Sequence, residues 1–449
     1  MSVDTVSLSG WGRTAPTTAL RFRPRTYDDA AAVVRGRGPR GVVARGLGRA
    51  HGDAAQNAGG SVVDMTALDR IRAVDSVAGT VVCEAGVSLH RLMETLLPLG
   101  WFVPVTPATR HVTVGGAIGS DVHGRNHRTA GSFARHVRAL ELLTADGEVR
   151  TVLPGTDLFD ATAGGMGLTG VVLSATLSLR RVTSSLMSVD TARAGDLDEA
   201  LARLAACGDR TPYAAAWIDL LARGRATGRA VVTRGEHAPL DALPARARRT
   251  ALTFRPGQLP TAPALVPEGL LGRSPAALLH AIRYHGAPTS RAGELQRIST
   301  FLHPLDAGPR WSGLPGRGAR VRYEFTVGHG QAETLHRIVR QLTVRRCPAS
   351  DAVLQRFGDG GPGWLSFPAP GWSLSFSVPA GLPGLARLLD VLDEEVAAAG
   401  GRVCLAKDAR LRPGLVAAMY PRLPEFRALR EAVDPAGAFR SDLSRRLAL

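Results

Sequence analysis

Two glycine-rich segments hold the residues whose types and spacing could do chemistry. In ARGLGRAHGD, Ala44–Asp53, Gly46 and Gly48 let backbone N–H groups close around an anion, and Arg45 and Arg49 add positive charge. A pyrophosphate would suit such a loop. The spacing is neither GxGxxG opening a helix nor GxxxxGK[ST], so a purely structural glycine turn competes with that reading. The second segment, PATRHVTVGGAIGSDVHGRNHRTAGSF, spans Pro107–Phe133. Its Gly115, Gly116, Ala117, Gly119, Ser120 and Gly124 are too small to build a core but would let a flat ligand lie on the backbone. His123, Arg125, Asn126 and His127 would then stand beside that ligand. His123 reads equally as an ordinary core or surface imidazole. His123 and His127 have i, i+4 spacing, but no third ligand or base accompanies them, so no metal is expected.

The elements that must position these loops follow from local pattern. Thr26 and the acids after it predict a helix start in TYDDAAAVVRGR. GVVARG, SVVDM and TVVCEAG are short β-branched runs bounded by turn residues. Leu89, Leu92, Met93, Leu96 and Leu97 recur at helical spacing up to Pro98 and Gly100. VRALELLTADGEVRTVL predicts two strands about an Asp146-Gly147 turn, and GLTGVVLSATLSLRRV a further strand pair or bent strand. Beyond about Val182 the alternating runs AAAWIDLL, RVRYEFTV and WSLSFSVP predict strands, with ELQRIS and LARLLDVLDEEVAAAG as helices. That pattern is α+β, an antiparallel sheet with helices on one side. Phe254–Pro275 and Asp306–Gly318, rich in proline and glycine, are expected to be mobile loops over the site.

Bulk properties narrow the function classes. A chain of 449 residues with 45% hydrophobic and 21% charged residues is globular and long enough for two domains. The net charge of +16 comes mainly from scattered arginines, which suggests an arginine-rich background more than a nucleic-acid footprint. Cys83, Cys207, Cys347 and Cys404 show no metal or disulfide spacing, which fits a reducing compartment. No apolar run reaches the ~18–20 residues of a bilayer span, and the opening residues lack signal-peptide features. A cytoplasmic location is expected, with membrane contact at most peripheral.

Taken together, RGLGRAHGD with QNAGG, then VGGAIGSDVHGRNH with AGSF and GGMGLTGVV, resemble the FAD-binding (PCMH-type) domain of the vanillyl-alcohol oxidase and aldonolactone oxidase superfamily. The resemblance extends nearly end to end to the decaprenylphosphoryl-β-D-ribose 2′-oxidase family, through GWGRTAP, FPAPGW, AKDAR, MYPR and SDLSRRL. It implies a two-domain fold: FAD-binding residues 1–183, an antiparallel-sheet substrate domain over 184–401, and a return to the FAD domain over 402–449. Arg45, Gly46, Leu47, Gly48 and Arg49 should hold the FAD diphosphate. Thr109, Thr113, Gly115, Gly116, Ser120, His123 and Gly124 should line the flavin. Relatives with covalent FAD carry histidine where Arg49 stands, so non-covalent FAD is implied, and His51 is not the tethering position.

On the substrate side the resemblance marks Lys407, Glu324, His51, His123, Arg125, Trp217, Ser373 and Ser375. Lys407 is the strongest catalytic candidate, a cation able to face both the flavin carbonyl and the reacting hydroxyl. The chain departs from the family at His51 for tyrosine, Arg125 for lysine, Glu324 for glutamine, Ser373 for asparagine, Ser375 for cysteine and Cys404 for tyrosine. An introduced glutamate would favour an amine over a phosphate. The expected reaction moves a hydride from a carbinol carbon to flavin N5, giving a ketone. His51, Glu324 and Lys407 are proton partners that sequence does not rank. The substrate is expected to be a sugar, nucleoside or aminoglycoside, with no nucleic acid involved. A separate NAD(P)-dependent reductase would turn oxidation into epimerisation. An oxygen-using aldonolactone or alditol oxidase is the alternative enzyme. A basic nucleic-acid or membrane-surface binding protein on an inherited fold is the non-enzyme alternative.

Overall fold

The computed structural model describes residues 1–208, 211–256, 273–306 and 318–449. The fold is α+β. Its first sheet has four strands in the order Ser2–Leu8, Thr17–Arg23, Ser61–Asp64, Val42–Arg45, with the last three mutually parallel. The helix Tyr27–Arg35 supplies the crossover, and Thr26 caps it by accepting from the Asp29 backbone N–H at 3.1 Å. Parallel pairing requires such a crossover connection. The strand Val42–Arg45 therefore ends where the first glycine loop begins.

The second sheet is antiparallel, five strands in the order Ile71–Asp75, Thr80–Glu84, Val171–Ser178, Val137–Leu143, Val149–Val152. Gly147, at φ 83°, makes the turn between the last two of these. Against this sheet lies the helix Leu89–Leu96, capped by Ser88, with Leu89, Leu92, Met93 and Leu96 at 0% exposure. Each such side chain contributes roughly 1.5–3 kcal/mol through burial. Pro98 falls in a following 3₁₀ turn, and Gly100 closes it in the left-handed region.

The third sheet has eight antiparallel strands: Ser290–Arg297, Leu186–Ala194, Ala230–His237, Tyr213–Ile218, Ser350–Phe357, Gly371–Pro379, Arg320–Val327, Arg402–Val403. One face is apolar. Tyr323, Phe325, Leu374 and Phe376 pack there in a common core with Leu335, Ile338, Leu389 and Leu392 of the helices Ala332–Val344 and Leu385–Ala398. The other face is polar yet buried. Arg322, Glu324, Thr326, Ser373, Ser375 and Ser377 all lie below 9% exposure there, alternating with the core residues.

Two expectations need correction. ELQRIS is not a helix: Glu294–Arg297 end an edge strand paired with Leu186–Ala194, and only Ile298–Leu302 are helical. The six-residue pattern suits either element, and hydrogen bonding to the neighbouring strand decides it. The helix Arg273–Gly286 begins inside the first segment read as a loop. The rest of that segment, 257–272, and 307–317 of the second lie outside the described residues.

The chain's end folds back onto its beginning. Val42 bridges to Phe439 in parallel, Asp442 accepts from the Ala58 N–H at 3.0 Å, and Arg445 donates to Asn57 at 2.8 Å. The four cysteines are free and buried.

Candidate functional site

A cleft of about 1350 Å³, open mouth included, runs between the two glycine loops and the polar face of the large sheet. Arg45, Gly46, Leu47, Gly48, Arg49, His51, Thr109, Thr113, Gly115, Gly116, Ser120 and Lys407 all line it. So do Trp11, Met166, Gly167, Gly170 and Arg322, which the sequence reading did not select.

The loops meet because glycine permits it. A Cβ on Gly46 would lie 2.1 Å from Thr113 Oγ1, and one on Gly52 would lie 1.7 Å from the Asp408 carbonyl oxygen. Three strands of loop are then stitched together. Trp11 N–H donates to Ala50 O at 2.7 Å, Gly12 N–H to His51 O at 3.0 Å, and His51 N–H to Ala406 O at 2.9 Å. Arg446 of the C-terminal helix Asp442–Leu447 pairs with both Asp53, at 2.8 Å, and Asp408, at 2.9 Å. That double pairing fixes His51 and Lys407 on opposite sides of one seam.

The lining carries four cations, Arg45, Arg49, Arg322 and Lys407, and no carboxylate among the described residues. Arg45 holds the loop by donating to Ala55 O at 2.9 Å and Ser9 O at 2.8 Å. Arg49 lies over the Trp11 ring at 5.2 Å, with its Nε buried and unpartnered. Glycine surfaces, an orphaned guanidinium N–H and net positive charge are what a flavin dinucleotide with two phosphates requires. The residues present fit FAD.

At the sheet end of the cleft, Lys407 donates to Glu324 Oε2, and His123 Nε2 lies 3.2 Å from Glu324 Oε1. Burial alone would raise the Glu324 pKa, but Lys407 and His123 outweigh it and hold the carboxyl below the usual carboxylate range. His51 is also shifted downward, which favours its neutral form. Burial, then the charges of Arg322 and Lys407, hold its imidazole well below the ordinary value and so neutral at pH 7. Its ring sits 5.0 Å from that of Trp11.

The other expected residues are placed as follows. Thr109 lines the cleft, but its hydroxyl donates to Asp306 at 2.6 Å, and Asp306 also accepts from the Arg110 N–H at 2.9 Å. Asp306, read as the start of a mobile loop, is thus anchored. His123 and Gly124 are not part of the cleft lining. They sit on a turn held by buried Asp121, which accepts from Ser132 at 2.7 Å and Ala134 N–H at 2.8 Å, and His123 reaches the site through Glu324. His123 packs edge-on to Phe357 at 4.9 Å, and His127 lies 4.5 Å from the same ring.

Trp217, Ser375 and Glu324 stand in one cross-strand row through Val353, so their side chains share the polar face. Ser373 is one row along with a buried, unpartnered hydroxyl, and Ser375 accepts from Arg322 at 3.0 Å. Arg125 donates to Thr233 at 3.0 Å and lies over Phe301 at 4.8 Å, further along that face. Trp217 is covered by Arg283 at 4.5 Å and His280 at 5.3 Å.

Residues 18–153 match the family described as an FAD binding domain. The chain is 41% identical over 455 aligned positions to decaprenylphosphoryl-β-D-ribose oxidase of Mycolicibacterium smegmatis, covering 99% of this chain and 98% of that protein. An uncharacterised protein of Streptomyces coelicolor is 55% identical over 372 positions, 81% of this chain and all of that one. An alditol oxidase of Streptomyces sp. is 28% identical across 98% of this chain and 99% of its own length. No helix among the described residues is long and apolar enough to cross a membrane. With a cleft that fits FAD and a relative alike over its whole length, this chain belongs to the FAD-dependent oxidoreductase family of decaprenylphosphoryl-β-D-ribose oxidase, acting on CH–OH donors.

Proposed function

We propose that the enzyme oxidises a secondary alcohol of a soluble sugar or glycoside to a ketone, with Lys407 orienting the hydroxyl and His51 accepting its proton. The carrying observation is that Lys407 is seated by Glu324 where the cleft meets the polar sheet face, across the seam from a neutral His51. FAD, when bound, supplies the hydride acceptor. Lys407 can donate to the substrate oxygen while its charge is held by Glu324. Glu324 is a poor base because its pKa is depressed, whereas neutral His51 has a lone pair to offer. Nearby Arg322 and Lys407 discourage an imidazolium, so a proton taken by His51 should pass on to water.

The anion at position 324 is already engaged by Lys407 and His123, so it is not free to draw an amine into the pocket. The preference for an aminoglycoside therefore loses its strongest argument, and a sugar or nucleoside is the better reading. Arginine at position 49 supports non-covalent FAD, which acid precipitation should release into the supernatant.

The test is anaerobic bleaching of the FAD-loaded protein by a panel of alcohols. Bleaching by sugars or nucleosides, with a keto product, supports the proposal. Bleaching only by alditols with rapid reoxidation by oxygen would favour an alditol-type oxidase, the reading supported by the 28% identical relative. Turnover of decaprenylphosphoryl ribose at full rate would refute the retuned pocket. If epimerisation is the outcome, an added NAD(P)-dependent reductase must convert the keto product to the inverted alcohol.

The pH profile checks His51 and Glu324. Both shifts are downward, so neither group should titrate near the ordinary histidine value. Flavin reduction should lack an acid limb near 6.5. Such a limb, removed by His51→Phe, would mean the imidazole is not suppressed.

A further inference from the structure

The charge balance of the cleft leaves one cation over. Arg45 and Arg49 stand in the glycine loop that would meet the two phosphate charges of bound FAD, and Lys407 is matched by Glu324. Arg322 has no such match. It is 6% exposed and lines the cleft, with Nη1 donating to Ser377 Oγ at 3.1 Å and Nη2 to Ser375 Oγ at 3.0 Å. Its Nε is buried without a hydrogen-bond partner, and no carboxylate of the described residues pairs with it. Two serine hydroxyls orient the guanidinium but bring no charge.

A buried, unpaired charge is strongly disfavoured. A protein keeps such a group where a ligand supplies the counter-ion, and the planar guanidinium fork is suited to the paired oxygens of a carboxylate or phosphate. Arg322 and Glu324 are two residues apart on one strand face, roughly 7 Å at the usual rise. That separation is the reach of one sugar ring bearing its acid group, with the reacting hydroxyl at Lys407.

We propose that Arg322 is a specificity-determining residue that receives an anionic group of the substrate, so that the substrate is a sugar acid or sugar phosphate. This rests on the alcohol-oxidase reading and narrows it. Position 322 was passed over in the sequence because RVRYEFTV reads as a strand with an ordinary solvated polar face.

The test uses the FAD-loaded protein and its visible flavin band, titrated anaerobically with glucuronate, glucose 6-phosphate and glucose. Saturable perturbation by either sugar anion, at least tenfold tighter than by glucose, is expected. The stronger of the two anions tells carboxylate from phosphate. Arg322→Gln should weaken the anions at least tenfold while the ligand-free flavin spectrum stays as it was, and Arg322→Lys should restore part of the response. An Arg322→Gln protein that responds to the anions like the parent overturns the proposal. So does one that releases FAD or shows a changed ligand-free spectrum, which would put the guanidinium on the cofactor. Complete bleaching by neutral sugars in both proteins would leave alcohol oxidation standing and remove the anion site alone. Anion perturbation without bleaching by any alcohol would keep the site and remove the oxidase reading.

Discussion

Replacing Lys407 by alanine is expected to slow anaerobic flavin reduction by about 10²–10³-fold while FAD remains bound. The ammonium lines the cleft beside Glu324, and under the proposed function a preorganised donor there would act where charge develops on the reacting oxygen. The single variant has a second effect. It leaves Glu324, 2% exposed, with only His123 as partner, and breaking a buried pair costs about 3–5 kcal/mol. A slow variant could therefore be merely a loose one. The double variant Lys407→Met with Glu324→Gln separates the two, because it removes both charges and keeps the volume. It should recover most of the thermal stability and none of the rate. Recovery of flavin reduction along with stability would show that Lys407 serves packing rather than catalysis. Rapid-mixing reduction traces and thermal denaturation of the same preparations give both readouts.

Gly46→Ala should yield protein that is colourless or loses FAD on gel filtration. The added Cβ would fall 2.1 Å from Thr113 Oγ1 and about 3 Å from two further Thr113 carbons. Thr113 cannot simply turn away, because its hydroxyl accepts from the Gly116 N–H at 3.2 Å and caps the second glycine segment. The clash therefore drives apart the two loops that line the cleft. Adding Thr113→Ala removes the nearest atoms and should restore partial FAD retention, at a cost of about 1 kcal/mol for the lost cap. Full FAD binding by Gly46→Ala alone would show that the loops do not need this close approach.

Much of the architecture was legible in the sequence, and the reason differs by element. Thr26 and Ser88 announce helix starts because capping is a contact within three residues. The Asp146-Gly147 turn and its two strands are equally local. ELQRIS failed for the opposite reason. Six residues carry too little periodicity, and its strand state comes from pairing with Leu186–Ala194, about a hundred positions away. The polar residues of RVRYEFTV and WSLSFSVP alternate as on any half-exposed sheet. Nothing in those runs says that the polar face is covered, so Arg322 was missed. His123 and Gly124 were placed at the flavin by the family resemblance, and the Asp121-anchored turn that carries them, with the His123 contact to Glu324, was not legible in the loop itself.

By itself the sequence determined the two glycine loops that line the cleft, since small residues beside arginines are chemical facts of a short segment, and it determined the strands and helices with strong local signals. Tertiary structure alone decided which charges meet. Glu324 is separated by 83 positions from Lys407 and by 201 from His123, and their pairing turns an anion that seemed free for a substrate into an internal partner. The same long-range folding sets His51 among cations and leaves Arg322 without a counter-ion among the described residues. Coulomb interactions and desolvation depend on distance and burial in space, and neither quantity is fixed by separation along the chain.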